Sequence, residues 1–151
     1  MQHQYQLKAP ETPQEFEDYY NLRYDILRKP WNQPKGSEKD ELEDKSIHRM
    51  FVDENNKVVA MGRLHFNTEK EAQVRYLAVD ELCRKAGLGA KLMQELEKIA
   101  KEKGAEEVVV ISREIAIPFY LKIGYKIIKD SHTLFGEIKH KEMRKSLIEN
   151  N

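Results

Sequence analysis

Apolar positions along the chain change period several times, and each change marks an element. Phe16, Tyr19, Tyr20, Tyr24 and Leu27 recur at three- and four-residue spacing, which predicts a helix. It opens at TPQE, where Thr12 supplies the N-cap, Pro13 suits the first helical position and Glu15 completes a capping box. Pro30 predicts its end, because the residue before a proline disfavours helical backbone. Arg23 falls on the same stripe. A short strand, YQLKA, precedes the helix. Residues 29–45, KPWNQPKGSEKDELEDK, are rich in charge and in turn formers, so they predict a mobile loop with at most a turn or two of helix. That loop carries Trp31, and it reads either as a substrate contact or as a solvated connection.

Beyond residue 45 the pattern turns to strands. IHRMFVDENNKVVAMGRLHF has apolar and β-branched runs on either side of DENNK, which predicts a hairpin. AQVRYLAVD is the next strand. A helix follows from about Leu88, with Leu92, Met93, Leu96, Ile99 and Ala100 on one face and Gly104 as its stop. EEVVVIS reads as a strand buried on both faces. REIAIPFYLKIG predicts a short helix ending at Gly124, and YKIIKD and GEIKHKEMRKSL are closing strands joined by SHTLF. The order is strand, helix, three strands, helix, strand, helix, two strands. It predicts one α/β domain over residues 1–151, a mixed α+β sheet with helices on both faces.

Composition narrows the functional classes. Lys plus Arg and Asp plus Glu each number 26, so bulk charge gives no support to nucleic-acid or membrane binding. The single cysteine, Cys83, allows neither an internal disulfide nor a zinc cluster, and no metal is expected. No apolar run approaches the ~20 residues of a membrane span, and the first residues lack the apolar core of a signal peptide. The expected setting is cytoplasmic.

The candidate chemistry begins at RKAGLGA, residues 84–90. Glycines at a strand-to-helix turn let a ligand approach the main chain, and the first turn of a helix offers N–H groups without internal partners. With the helix dipole these make an anion site, for which phosphate is the expected occupant. Arg84 and Lys85 add charge or point into water. Neither the Walker spacing nor the dinucleotide fingerprint fits, because Leu92 stands where a third glycine would be needed. A tight turn and helix packing is the alternative reading of the two glycines.

RKAGLGA matches the Arg/Gln-x-x-Gly-x-Gly/Ala signature of the GNAT-type N-acetyltransferases, and AIPFYLKIGY, residues 116–125, resembles that superfamily's segment with a tyrosine ahead of Lys-x-Gly-aromatic. The element order resembles its fold over nearly the whole chain, a central mixed, mostly antiparallel sheet flanked by helices. GRLHF, VRYLAVD and EIKHKEMRK resemble small bacterial members of ElaA-like type. The resemblance implies acetyl-CoA as co-substrate. Its pyrophosphate would rest on the backbone of Arg84, Lys85, Ala86, Gly87, Leu88, Gly89 and Ala90, and its pantetheine arm on the preceding strand at about Leu77 and Val79. It implies Tyr120 as proton donor to the departing sulfur; a core aromatic is the alternative. Three positions depart from the pattern: Cys83 where an aromatic is common, Lys85 where glycine is frequent, and Arg113 where asparagine is frequent.

Acyl transfer to an amine needs a proton acceptor, since a lysine-like amine has a free pKa near ~10.4. The sequence offers Glu71, Asp80, Glu114, His48, His65 and His140 without choosing among them. A backbone N–H near Leu77 is a candidate oxyanion donor. Arg23, Arg63 and Arg75 interrupt otherwise apolar patterns, which implies either internal carboxylate partners or a pocket for a carboxylate-bearing acceptor. Cys83 reads as packing rather than as an acyl-carrying nucleophile. The expected function is direct, acetyl-CoA-dependent N-acetylation of a primary amine of a small molecule or peptide. The alternatives are a non-catalytic acyl-CoA sensor or scaffold, and an interaction protein with no CoA site. Expected partners are acetyl-CoA and the amine, with no nucleic acid and no membrane; a homodimer is left open.

Overall fold

The computed structural model describes residues 4–148. Its strands are β1 (Gln6–Lys8), β2 (Ile47–Val52), β3 (Val58–Phe66), β4 (Glu71–Val79), β5 (Glu107–Arg113), β6 (Lys126–Leu134) and β7 (Ile138–Ser146). Its α-helices are α1 (Pro13–Leu27), α2 (Leu88–Glu102) and α3 (Ile117–Lys122). The strands form one sheet in the order β1-β2-β3-β4-β5-β7-β6, with β4 and β5 the one parallel pair among the described residues. The mixed sheet with helices on both faces is the architecture the pattern predicts, and its mostly antiparallel pairing is what the resemblance implies.

Alternation along the strands sends residues to two cores. Met50, Val52, Met61 and Ala78 pack with Tyr19 of α1, while Phe51, Val59 and Ala60 pack with Leu88 and Leu92 of α2. A larger cluster joins Leu64, Val74, Val108 and Val110 to Met93, Leu96, Tyr120 and Tyr125. Helix α1 therefore covers one face, and α2 with α3 the other. Its start follows the sequence: Thr12 Oγ1 accepts from the Glu15 N–H at 3.1 Å, and the Glu15 carboxylate accepts from the Thr12 N–H. SHTLF is not a connection. Its first four residues, Ser131 to Leu134, belong to β6, an exposed edge strand with no buried face, which explains why periodicity missed them; Phe135 lies in the turn that follows.

Residues 29–45 are not a loose loop. They contain two short 3₁₀ turns, Lys29–Trp31 and Glu43–Lys45, and they carry carboxylates inward. Fully buried Arg23 gives Nη1 to Glu43 Oε1 at 3.0 Å and Nη2 to the Tyr19 hydroxyl at 2.9 Å. Fully buried Arg63 gives Nη1 to Glu43 Oε2 at 2.8 Å and both terminal nitrogens to Asp40, at 2.6 and 2.9 Å. Burial opposes the charge of Asp40, but the Arg63 hydrogen bonds, the Leu42 N–H and the charges of Arg63 and Arg75 outweigh it and hold the carboxyl well below its ordinary range. Glu43 thus bridges two buried guanidiniums, with Asp40 sharing Arg63, and ties the loop to α1 and β3.

Removing one partner of a buried ion pair leaves an uncompensated charge. Glu43→Gln should therefore cost about 3 kcal/mol of unfolding free energy in urea titration. A loss below about 1 kcal/mol would show that the network contributes little.

Candidate active site

The parallel pairing of β4 with β5 runs only from Glu71 and Glu107 to Val74 and Val110. Beyond it β5 keeps its partner β7 as far as Arg113, while β4 turns with β3. A bulge makes that turn. Met61 pairs with Ala78 and Arg63 with Arg75, so Tyr76 and Leu77 stand opposite Gly62 alone. Tyr76 takes up the extra residue at φ 59°, unusual for a bulky side chain. Gly62 makes room for it: a Cβ there would lie 3.0 Å from Leu96 Cδ1 and 3.1 Å from Leu77 Cδ1. The β5-facing edge of β4, from Arg75 to Val79, is left without a strand partner.

A cavity of about 230 Å³ occupies this wedge. Leu77, Arg75, Arg113 and Tyr120 line it, with His132 and His140 from the β6–β7 arm and Arg28 from the end of α1. Val79 lies further along β4, against Gly89, and does not line it. Tyr120 is buried, with its ring edge-on to Phe119 and Tyr125 at 5.0 and 5.5 Å. Burial raises its phenol pKa, opposed by the charge of Arg113, so the hydroxyl is protonated at neutral pH. It forms no hydrogen bond with any described residue.

The segment 84–90 begins inside a 3₁₀ turn, Glu81–Ala86, that Asp80 caps through the Leu82 N–H. Gly87 then adopts φ 72° as the N-cap of α2, and no side chain caps the helix there. The two glycines do different work. A Cβ on Gly87 would meet nothing within 4 Å, so that position requires glycine for its backbone angle. A Cβ on Gly89 would lie 3.3 Å from Phe119 Cζ, so glycine there lets α2 approach α3. Both positions fit the reading of a tight turn with helix packing, the turn at Gly87 and the packing at Gly89. Arg84 and Lys85 are exposed beside the turn.

The six base candidates separate cleanly. His48 Nε2 donates to the Glu43 carbonyl, so its Nδ1 accepts from the Tyr19 hydroxyl, at 2.8 Å. His65 accepts from Arg63 and donates to Asn67 Oδ1. Both imidazoles are held neutral by burial and lie off the cavity. Glu71 is bound to Arg144, Asp80 caps its turn, and Glu114 does not line the cavity. His140 does. Its Nδ1 donates to the Ile138 carbonyl at 2.9 Å, which leaves Nε2 as the basic nitrogen. Burial, then the charges of His132 and Arg113, push its pKa down. His132 stacks on it at 4.5 Å.

The three arginines also separate. Arg23 and Arg63 take internal partners and stay off the cavity; Arg75 reaches it while giving Nη1 to Asp40 Oδ2 at 2.7 Å. Arg28, Tyr76 and His132 were not singled out by sequence. Arg28 follows Tyr24 by one helical turn, the signal that could have placed it on the inward stripe. Among the described residues no group of three or more His, Cys, Asp or Glu could hold a metal ion, and no helix is long and apolar enough to cross a membrane.

Comparison with known proteins agrees with this geometry. A profile of the acetyltransferase (GNAT) family matches residues 16–125. A Bacillus subtilis protein described as an uncharacterized N-acetyltransferase, YjcF, is 31% identical over 132 residues, covering 87% of this chain and 93% of that protein. The crystal structure of an aminoglycoside 6′-N-acetyltransferase complexed with coenzyme A superposes with a TM-score of 0.81 at 17% identity, covering 97% of this chain and 99% of that one. Escherichia coli ElaA superposes with a TM-score of 0.77 at 16% identity, covering 95% and 99%.

Gly87→Ala tests the turn. A side chain there costs about 1–2 kcal/mol from its left-handed backbone, with no steric clash added. The expected result is a stability loss of about that size in denaturant titration, and a weaker coenzyme A affinity by calorimetry. Unchanged stability would contradict the assigned conformation.

Proposed function

Because the chain belongs to the acetyltransferase (GNAT) family and is a GNAT-type N-acetyltransferase, we propose that it moves an acetyl group from acetyl-CoA directly to a primary amine, without an acyl-enzyme. The observation that carries this reading is Tyr120: a protonated phenol lining the cavity at which β4 and β5 part. The residues fit the co-substrate. The uncapped first turn of α2, with Gly87 open to its surroundings, suits a diphosphate, and Arg84 and Lys85 lie beside it. The free edge of β4 at Leu77 to Val79 suits an extended amide-bearing arm that pairs as a strand would. Acetyl-CoA supplies the activated acyl group. The C–S bond breaks as the N–C bond forms, giving an amide and the coenzyme A thiolate, which takes a proton from solvent on release.

The chain's own residues handle the protons and the developing charge. His140, neutral and with Nε2 basic, takes the proton the amine must lose. A main-chain N–H near Leu77 faces the carbonyl oxygen. Tyr120 hydrogen-bonds to the departing sulfur. Its free pKa of about 10 already exceeds that of a thiol near 8.5, and burial raises it further. Stabilisation by a hydrogen bond, rather than full proton transfer, is therefore the role that costs least.

Free-thiol release across an amine panel tests both residues. Tyr120→Phe should lower kcat about 100-fold with acetyl-CoA affinity retained; an unchanged rate would remove Tyr120 from the mechanism. His140→Gln should lower kcat by a similar factor and abolish the acid limb of its pH profile. Retention of that limb would exclude His140 as the base. Acetyl-CoA binding without amine-stimulated thiol release would instead indicate the sensor.

A further inference from the structure

The cavity wall carries three guanidinium groups, those of Arg28, Arg75 and Arg113, and no carboxylate. Arg113 belongs to the cofactor side, where it feels the charges of Tyr120 and Arg84. Arg28 and Arg75 form a separate pair. They come from different elements and converge on the ring of Tyr76, at 5.8 and 4.6 Å. Arg28 also lies 5.6 Å from the ring of Phe135, so it reaches from the end of α1 to the β6–β7 turn.

The charges around this pair do not balance. Arg28 is 9% exposed. Its Nε donates to the Ser37 carbonyl and its Nη1 to the Leu27 carbonyl, both neutral partners. Burial, and then the nearby charges of Arg75 and Arg23, disfavour its cation. Asp40 and Glu43 make ion pairs with Arg23, Arg63 and Arg75, so two carboxylates already serve three guanidiniums before Arg28 is counted. Glu38, also buried, accepts from the Gly36 N–H through its Oε1. An excess of positive charge therefore faces the cavity where α1 meets β4. A neutral or cationic acceptor gains nothing from it. A planar or tetrahedral oxyacid gains forked, charge-assisted hydrogen bonds.

We infer that the acceptor amine carries an anionic oxyacid group, a carboxylate or a phosphate monoester, received between Arg28 and Arg75, with its amino group directed toward His140 and Tyr120. This rests on the reading that the chain acetylates a primary amine. Of the three arginines that sequence offered for an anion pocket, it keeps Arg75, replaces Arg23 and Arg63, and adds Arg28.

The test measures thiol release by the full chain at saturating acetyl-CoA with four amines: β-alanine and its amide, and O-phosphoethanolamine and ethanolamine. At least one anionic amine should exceed its neutral partner in kcat/KM by roughly tenfold or more. Preference within the first couple identifies a carboxylate acceptor, and within the second a phosphate acceptor. Arg75→Gln should cut that ratio about tenfold through the KM of the anionic amine. This variant leaves Asp40 on Arg63, and its melting temperature checks that it is folded. Arg28→Gln should cut the ratio similarly. Equal use of charged and neutral amines, or a ratio unmoved in folded Arg75→Gln, would overturn the inference while leaving amine acetylation standing. No thiol release with any amine, despite acetyl-CoA binding, would overturn the transferase reading and this inference with it.

Discussion

Parallel pairing between β4 and β5 stops at Val74 and Val110, and the chemistry proposed for this protein depends on the wedge that opens there. The wedge is built, not accidental. Tyr76 holds a left-handed backbone angle without being glycine, and Gly62 gives up its side chain so that the bulge can close against Leu77 and Leu96. Strain of this kind persists only where its surroundings over-determine it. Here four guanidiniums surround the Tyr76 ring, and Arg23 approaches closest, at 4.2 Å. The same ring thus anchors the bulge, caps the buried ion network and forms part of the cavity wall.

That arrangement couples stability to site geometry. The Asp40–Glu43 segment is held by Arg23 and Arg63 from one side and by Arg75 from the cavity side. The loop that looked most mobile in sequence is therefore a structural wall behind the proposed acceptor pocket. On the other side of the sheet, Gly89 lets α2 and α3 approach, which sets Tyr120 close to the turn that begins at Gly87. The proposed proton donor and the proposed anion pocket then share one cavity.

Much of this was legible in the chain. The capping box at Thr12, the start of α2 at Leu88 and the element order follow from local rules, because each depends on residues within a few positions of one another. RKAGLGA and AIPFYLKIGY located by likeness the glycine turn that opens α2 and the cavity-lining Tyr120. The sorting of the arginines was not legible. Periodicity places Arg23, Arg63 and Arg75 in apolar patterns, but it does not show that Arg75 stays exposed or that an acidic loop supplies carboxylates to all three. The dense charge of residues 29–45 was the available clue, and it read as solvation. The His132–His140 stack depends on a register shift between Asp130 and Thr133, and the bulge at Tyr76 carries no glycine to announce it. The exposed β6 has no apolar face for alternation to reveal.

A crystal structure of the chain grown with coenzyme A tests the central claim most directly. The account predicts diphosphate oxygens within hydrogen-bond distance of main-chain N–H groups at Leu88 to Ala90. It also predicts the pantetheine arm along the unpaired edge of β4 from Arg75 to Val79, and the sulfur beside the Tyr120 hydroxyl. A nucleotide bound elsewhere, or strands β4 and β5 closed together beyond Val74 and Val110, would contradict it.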